Sequence, residues 1–78
     1  MDTNVARSVL PFVNDVHHYE GFLSYVECRL DILRSFLEKE KDIDRIREIQ
    51  GSIAELKRLR TLRDEVRGTL ADERKYGS

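Results

Sequence analysis

The chain is predicted to be all-α: an antiparallel hairpin of two long amphipathic helices that pairs with a second copy into a four-helix bundle. Three observations carry that expectation. Val16, Tyr19, Leu23, Val26, Leu30, Leu33 and Leu37 recur at alternating steps of three and four, a stripe of period 3.5 that suits a helix packed lengthwise on another helix. Ile43, Ile46, Ile49, Ile53, Leu56, Leu59, Leu62, Val66 and Leu70 form a second series at the same steps. Between the two lies Glu38-Lys39-Glu40-Lys41-Asp42, with no apolar residue. Continuing the first heptad would bury Glu40, Asp44 and Arg47, so the chain is expected to turn near 39–42.

Taken in order, residues 1–8 are expected to form an N-terminal segment that precedes the hairpin at 9–70, with 4–8 either a short turn or a kinked continuation of the first helix. Helix A then runs over 9–39, with Ser8 as N-cap and Pro11 in the first turn, where an amide has no intrahelical partner anyway. Gly21 inside it costs roughly 1 kcal/mol relative to alanine, which seven apolar heptad positions outweigh. Helix B runs over 43–70. Asp42 suits its N-cap, Asp44 its first turn, and Lys39 and Lys41 the end of helix A, by the sign of the helix dipole. Gln50-Gly51-Ser52 is the weak point of helix B. Ser52 with Glu55 resembles a capping box, and Gly51 could end a helix before it. The apolar stripe keeps its phase across Gly51, so one helix is expected, although the sequence alone leaves a break there open. The polar tail 71–78 is expected to fray.

A chain of 78 residues is one small domain, and one this short buries only about 60% of its unfolded surface. Small scaffolds usually add a disulfide, a metal or a partner. Cys28 is the single cysteine, which rules out an intramolecular disulfide, and no Cys/His cluster has zinc spacing. Oligomerisation is the staple that remains. The stripe of helix A is also too wide for one neighbour. Phe22, Tyr25, Ile32 and Phe36 flank it, giving an apolar arc of about 160°. With Phe12 these residues make the expected interface, covered most simply by two-fold pairing into a homodimer, or by a higher ring or a larger protein partner. The N-terminus lacks a basic region followed by a long apolar run, and no stretch of about 18 apolar residues spans a membrane. Together with the lone cysteine, these features suggest a cytoplasmic protein.

Residues 1–56 carry seven Lys/Arg against eleven Asp/Glu, and residues 57–78 carry seven against four. Lys57, Arg58, Arg60, Arg63 and Arg67 concentrate the basic character, with Arg60, Arg63 and Arg67 at steps of three and four. Such a stripe can follow a phosphate backbone. Yet Asp64 and Glu65 interrupt it, and no aromatic residues interleave for base stacking. Contact with carboxylates of a neighbouring chain is the favoured reading, with nucleic acid as the alternative. His17 and Glu20 could share a helical face toward a metal, but two ligands do not make a site, and they read as surface residues. Cys28 sits beside Arg29 but also near Glu27 and Asp31, so nothing marks it as an activated thiol. The carboxylates are mostly matched at helical spacing: Asp31 with Arg34, Asp44 with Arg47, Glu55 with Arg58, Arg60 with Asp64. No phosphate loop or nucleophile motif is present. No cofactor and no catalysis are expected.

The segment from Ile43 to Leu62, with Ile49-Gln50-Gly51-Ser52-Ile53 followed by Leu56, Leu59 and Leu62, resembles small helical proteins encoded by tailed bacteriophages. They carry an apolar-Gln-Gly run after an acidic, charged turn, itself preceded by an amphipathic helix. The resemblance implies an accessory or structural factor, some of its members lying near virion assembly genes, and it supplies no catalytic residues. Three functions therefore compete: a self-associating structural or assembly protein, a nucleic-acid-binding accessory, and a small inhibitor of a host enzyme.

Overall fold

The computed structural model describes residues 1–76. The described chain is all-helical: α1 (Thr3–Asn14), α2 (Val16–Lys39), α3 (Ile43–Leu59) and α4 (Leu62–Tyr76). The described chain divides into two compact units, one of residues 1–21 and 61–76 and the other of residues 22–60. None of the described helices is long and apolar enough to cross a membrane.

The second unit contains the expected hairpin. Asp42 caps α3, its side chain accepting from the Asp44 amide at 3.0 Å. In the turn before it, the Glu40 carboxylate accepts from the amides of Lys41 and Asp42, both at 3.2 Å. Val26, Leu30 and Ile53 form the core. Phe22, Leu33, Leu37, Ile49, Leu56 and Leu59 pack around it. The antiparallel sense is fixed by pairs that run in opposite directions along the chain: Arg60 with Glu27 at one end and Phe36 near Ile49 at the other. Of the residues expected at this seam, Leu23 and Ile46 are half-buried, whereas Tyr19 belongs to the first unit.

Helix α3 runs unbroken through Gly51, so the capping box at Ser52 is not used as a helix start. A Cβ built on Gly51 meets only open space. Gly51→Ala should therefore stabilise by about 0.5–1 kcal/mol, because alanine loses less backbone entropy in a helix than glycine. The thermal midpoint should rise by a few degrees. A lower midpoint in a calorimetric scan would mean that the backbone at 51 is not helical in solution.

The first unit extends the expected helices and divides them. Residues 1–8 belong almost entirely to a helix, and Ser8 is not a cap. Asp2 starts α1, its carboxylate accepting from the amides of Asn4 at 2.7 Å and Val5 at 3.3 Å. Ser8 instead lies inside the helix and donates its hydroxyl to the Asn4 carbonyl at 3.0 Å, a local bond that helical Ser commonly makes. Pro11 consequently sits well within α1 rather than in its first turn. It is exposed, and the ring denies an amide to the Arg7 carbonyl. The signal for this helix was Ala6, Val9, Leu10 and Val13, spaced at three and four. Ala6 and Val13 are buried, and the other two half-buried.

Helix A is thus divided at Asp15. This residue leaves the helical region, with φ −86° and ψ 104°. It then caps α2, its carboxylate accepting from the His18 amide at 3.1 Å. Asp competes with helical hydrogen bonding in this way wherever it can cap. Val16, which opens the heptad in the sequence, is the first residue of α2 and is 60% exposed rather than at the seam.

Helix B is divided as well, at Arg60–Thr61, and α4 continues to Tyr76. The expected tail is therefore helical over 71–76, while residues 77 and 78 lie outside the described residues. The reason is tertiary: α4 packs antiparallel on α1. Arg7 is ion-paired with Glu73, and Arg67 donates to the Asn14 side chain at 3.2 Å. Ala6, Val13, Tyr19 and Val66 are the buried residues of this unit.

Candidate interaction surface

The five residues expected at an interface divide into one that is half-buried against a core and four that are exposed. Phe22 is drawn into the core of its hairpin, packed against Val26, Leu30 and Ile53. The heptad reading set it on the flank. At 100° per residue Phe22 lies only about 40° around the helix from Val26, close enough for a long aromatic ring to turn inward.

Tyr25, Ile32 and Phe36 remain at the surface of α2, at 63%, 38% and 57% exposure. Their steps of seven and four place them within about 40° of one another around the helix. They form one apolar ridge beside the buried seam. Phe12 is 36% exposed in the first unit. There it meets Tyr19 edge to face, with ring centroids 5.9 Å apart and planes at 82°, a geometry that favours aromatic pairs.

Each arginine of the basic series is engaged by its own chain. Arg60 donates to Glu27 at 2.9 Å, and not to Asp64, its neighbour in helical spacing. Arg58 lies 3.8 Å from Glu55, as expected. Arg63 places its guanidinium 5.1 Å from the centre of the Tyr19 ring, a cation–π contact. Arg67 takes Asn14. Lys57 is exposed and borders a shallow recess with Arg34, Leu37, Gln50, Ile53 and Ala54. The stripe also spans the break at Arg60–Thr61, so it does not lie along one helix. Glu55 and Glu27 offset the charge of Arg58 and Arg60, which lowers the positive charge free to neutralise phosphates.

The remaining candidates are surface residues. His17 and Glu20 are both exposed. His18 is the histidine with a structural partner: its Nδ1 lies 2.8 Å from the Asp15 carboxylate. The His18 amide and ring together hold the Asp15 carboxyl below its ordinary value. Among the described residues, no group of three or more His, Cys, Asp or Glu is placed to hold a metal ion. Cys28 is exposed in an open recess with Leu23, Ser24, Glu27, Asp31 and Ile32. The Asp31–Arg34 pair forms at 3.6 Å.

A scan against models of known protein families, a search of curated proteins and a search of solved structures each return no match for this chain. Its geometry therefore has to speak for itself. What that geometry offers is convex: an aromatic ridge on one helix, beside recesses that are open to solvent.

Proposed function

We propose that this chain is a non-enzymatic interaction protein that associates through the Tyr25–Ile32–Phe36 ridge, first of all with a second copy of itself. The observation that carries the reading is the exposure of two aromatic rings and an isoleucine in one line on α2. Large apolar side chains scattered singly are ordinary on a protein surface, whereas a contiguous line of them marks an interaction surface. A homodimer is ranked first because one self-complementary patch then covers both copies, and closed two-fold pairs are the commonest oligomers. A higher ring would cover the same ridge. Five of the carboxylates support the non-enzymatic reading: Asp2 and Asp42 cap helices, and Glu27, Asp31 and Glu55 pair with arginines at the surface. An assembly or accessory role in the cytoplasm, encoded by a bacteriophage, is the biological setting that the resemblance of residues 43–62 suggests.

Light scattering coupled to size exclusion tests the reading. The expected mass at micromolar concentration is about twice the 9.2 kDa of one chain, or a higher multiple. Tyr25→Asp combined with Phe36→Asp should return it to 9.2 kDa with an unchanged helical spectrum, since both side chains lie outside the core. A wild-type mass of one chain across the micromolar range would sink self-association. The ridge would then belong to a different protein, as in a larger assembly or an inhibited enzyme.

A further inference from the structure

The two helix breaks differ in origin. At Asp15 the backbone itself departs from the helix, and the residue responsible is one that favours caps. At Arg60–Thr61 no glycine or proline intervenes. Arg60 keeps helical angles, φ −62° and ψ −25°, and none of the described residues has a positive φ. The apolar series Leu56, Leu59, Leu62, Val66 holds its phase across the break. Local sequence thus favours a continuous helix where the structure has two.

What accompanies the break is a bond from a distant residue. The Arg63 backbone N–H donates to the hydroxyl of Tyr19, at 3.1 Å and 44 positions away. In an unbroken helix the same N–H would donate to the Leu59 carbonyl. Tyr19 is firmly held: it is buried to 3% exposure, sits edge-on to Phe12, and carries the Arg63 guanidinium over its ring. An acceptor so fixed can compete with a carbonyl that the helix would otherwise supply.

We propose that the Tyr19 hydroxyl is a latch that holds residues 59–63 in a broken state, and that a continuous helix through Arg60–Thr61 is the alternative state of the same segment. At the Arg63 amide the two states exchange one acceptor for another, with Arg60 already in the helical region. Removing the acceptor shifts the population to the continuous helix, because only one of the two states binds the hydroxyl.

Tyr19→Phe in the full-length chain is the test, since it deletes the acceptor and keeps the ring. The direct readout is the scalar coupling through the hydrogen bond between the Arg63 amide nitrogen and the Leu59 carbonyl carbon. It should be absent in the wild type and present in the variant, while the Arg63 amide keeps its protection from solvent exchange. Exchange at Arg63 faster by tenfold or more, with no coupling to Leu59, would show an amide left without a partner and would overturn the latch. The same coupling seen at full strength in the wild type would overturn it equally. A variant that loses its helical spectrum altogether would show that the hydroxyl holds the fold and not a choice between two states, and would also reject the proposal.

Discussion

Leu30→Ala is expected to lower the stability of the chain by about 2–5 kcal/mol, through lost apolar transfer and the cavity left behind. Leu30 is fully buried, at 0% exposure, and is the largest side chain enclosed in the hairpin of α2 and α3. It sits with Val26 and Ile53 at the centre of the cluster, surrounded by Phe22, Leu33, Leu37, Ile49, Leu56 and Leu59. A domain of this length has a total stability of only about 4–12 kcal/mol at typical values per residue. The thermal midpoint should fall by about 10 °C or more, and the chain could be largely unfolded at 37 °C. The check is a circular dichroism melt at a fixed protein concentration, because self-association would itself raise the midpoint with concentration. A melt unchanged by this substitution would falsify the packing of α2 on α3.

Val66→Asp should have an effect of similar or larger size in the other unit. Val66 is at 0% exposure on α4, in the unit where that helix packs on α1. A carboxylate there would be stripped of water with no buried cation to pair with. It would either ionise at a cost of several kcal/mol or stay protonated with an unsatisfied hydroxyl. Amide exchange across 3–14 and 62–76 should accelerate by orders of magnitude, as α1 and α4 lose the face that joins them. Val5→Asp, at a position that is 50% exposed on α1, is the matching control and should shift stability by no more than about 0.5 kcal/mol. Equal losses from the two variants would mean that the buried face of α1 and α4 is assigned to the wrong residues.

Both substitutions bear on how far the sequence alone could be read. The heptad from Val26 to Leu37 and the isoleucines and leucines from Ile49 to Leu59 were legible because periodicity is a local property. A helix that must bury one face writes that face at steps of three and four, whatever else surrounds it. The charged turn with Asp42 as cap was legible for the same reason, since a cap is satisfied within three residues of itself. The N-terminal helix was also written locally, in Ala6, Val9, Leu10 and Val13 behind the cap at Asp2. There the proline at 11 masks the pattern, because a proline ordinarily marks the first turn of a helix and not its interior.

Other features depended on contacts between residues far apart in the chain. Phe22 and Tyr25 occupy neighbouring flank positions, yet one ring turns into the hairpin core and the other stays in solvent. Only the space left by α3 decides between them. The basic series showed no sign in sequence that Arg60 would take Glu27 or that Arg67 would take Asn14, because such partners are chosen by which helices lie side by side. Helix B carries an uninterrupted apolar phase, and where it divides at Arg60–Thr61 the Arg63 amide takes an acceptor 44 residues away. Sequence by itself determined that this chain is helical, where it turns between α2 and α3, and which stripe of each helix seeks a partner, since each depends on groups within one or two helical turns. Tertiary structure decided which apolar and basic side chains remain at the surface and which distant acceptor the Arg63 amide takes at the second break. Those outcomes turn on competition for buried space and for hydrogen-bond acceptors, which no single segment contains.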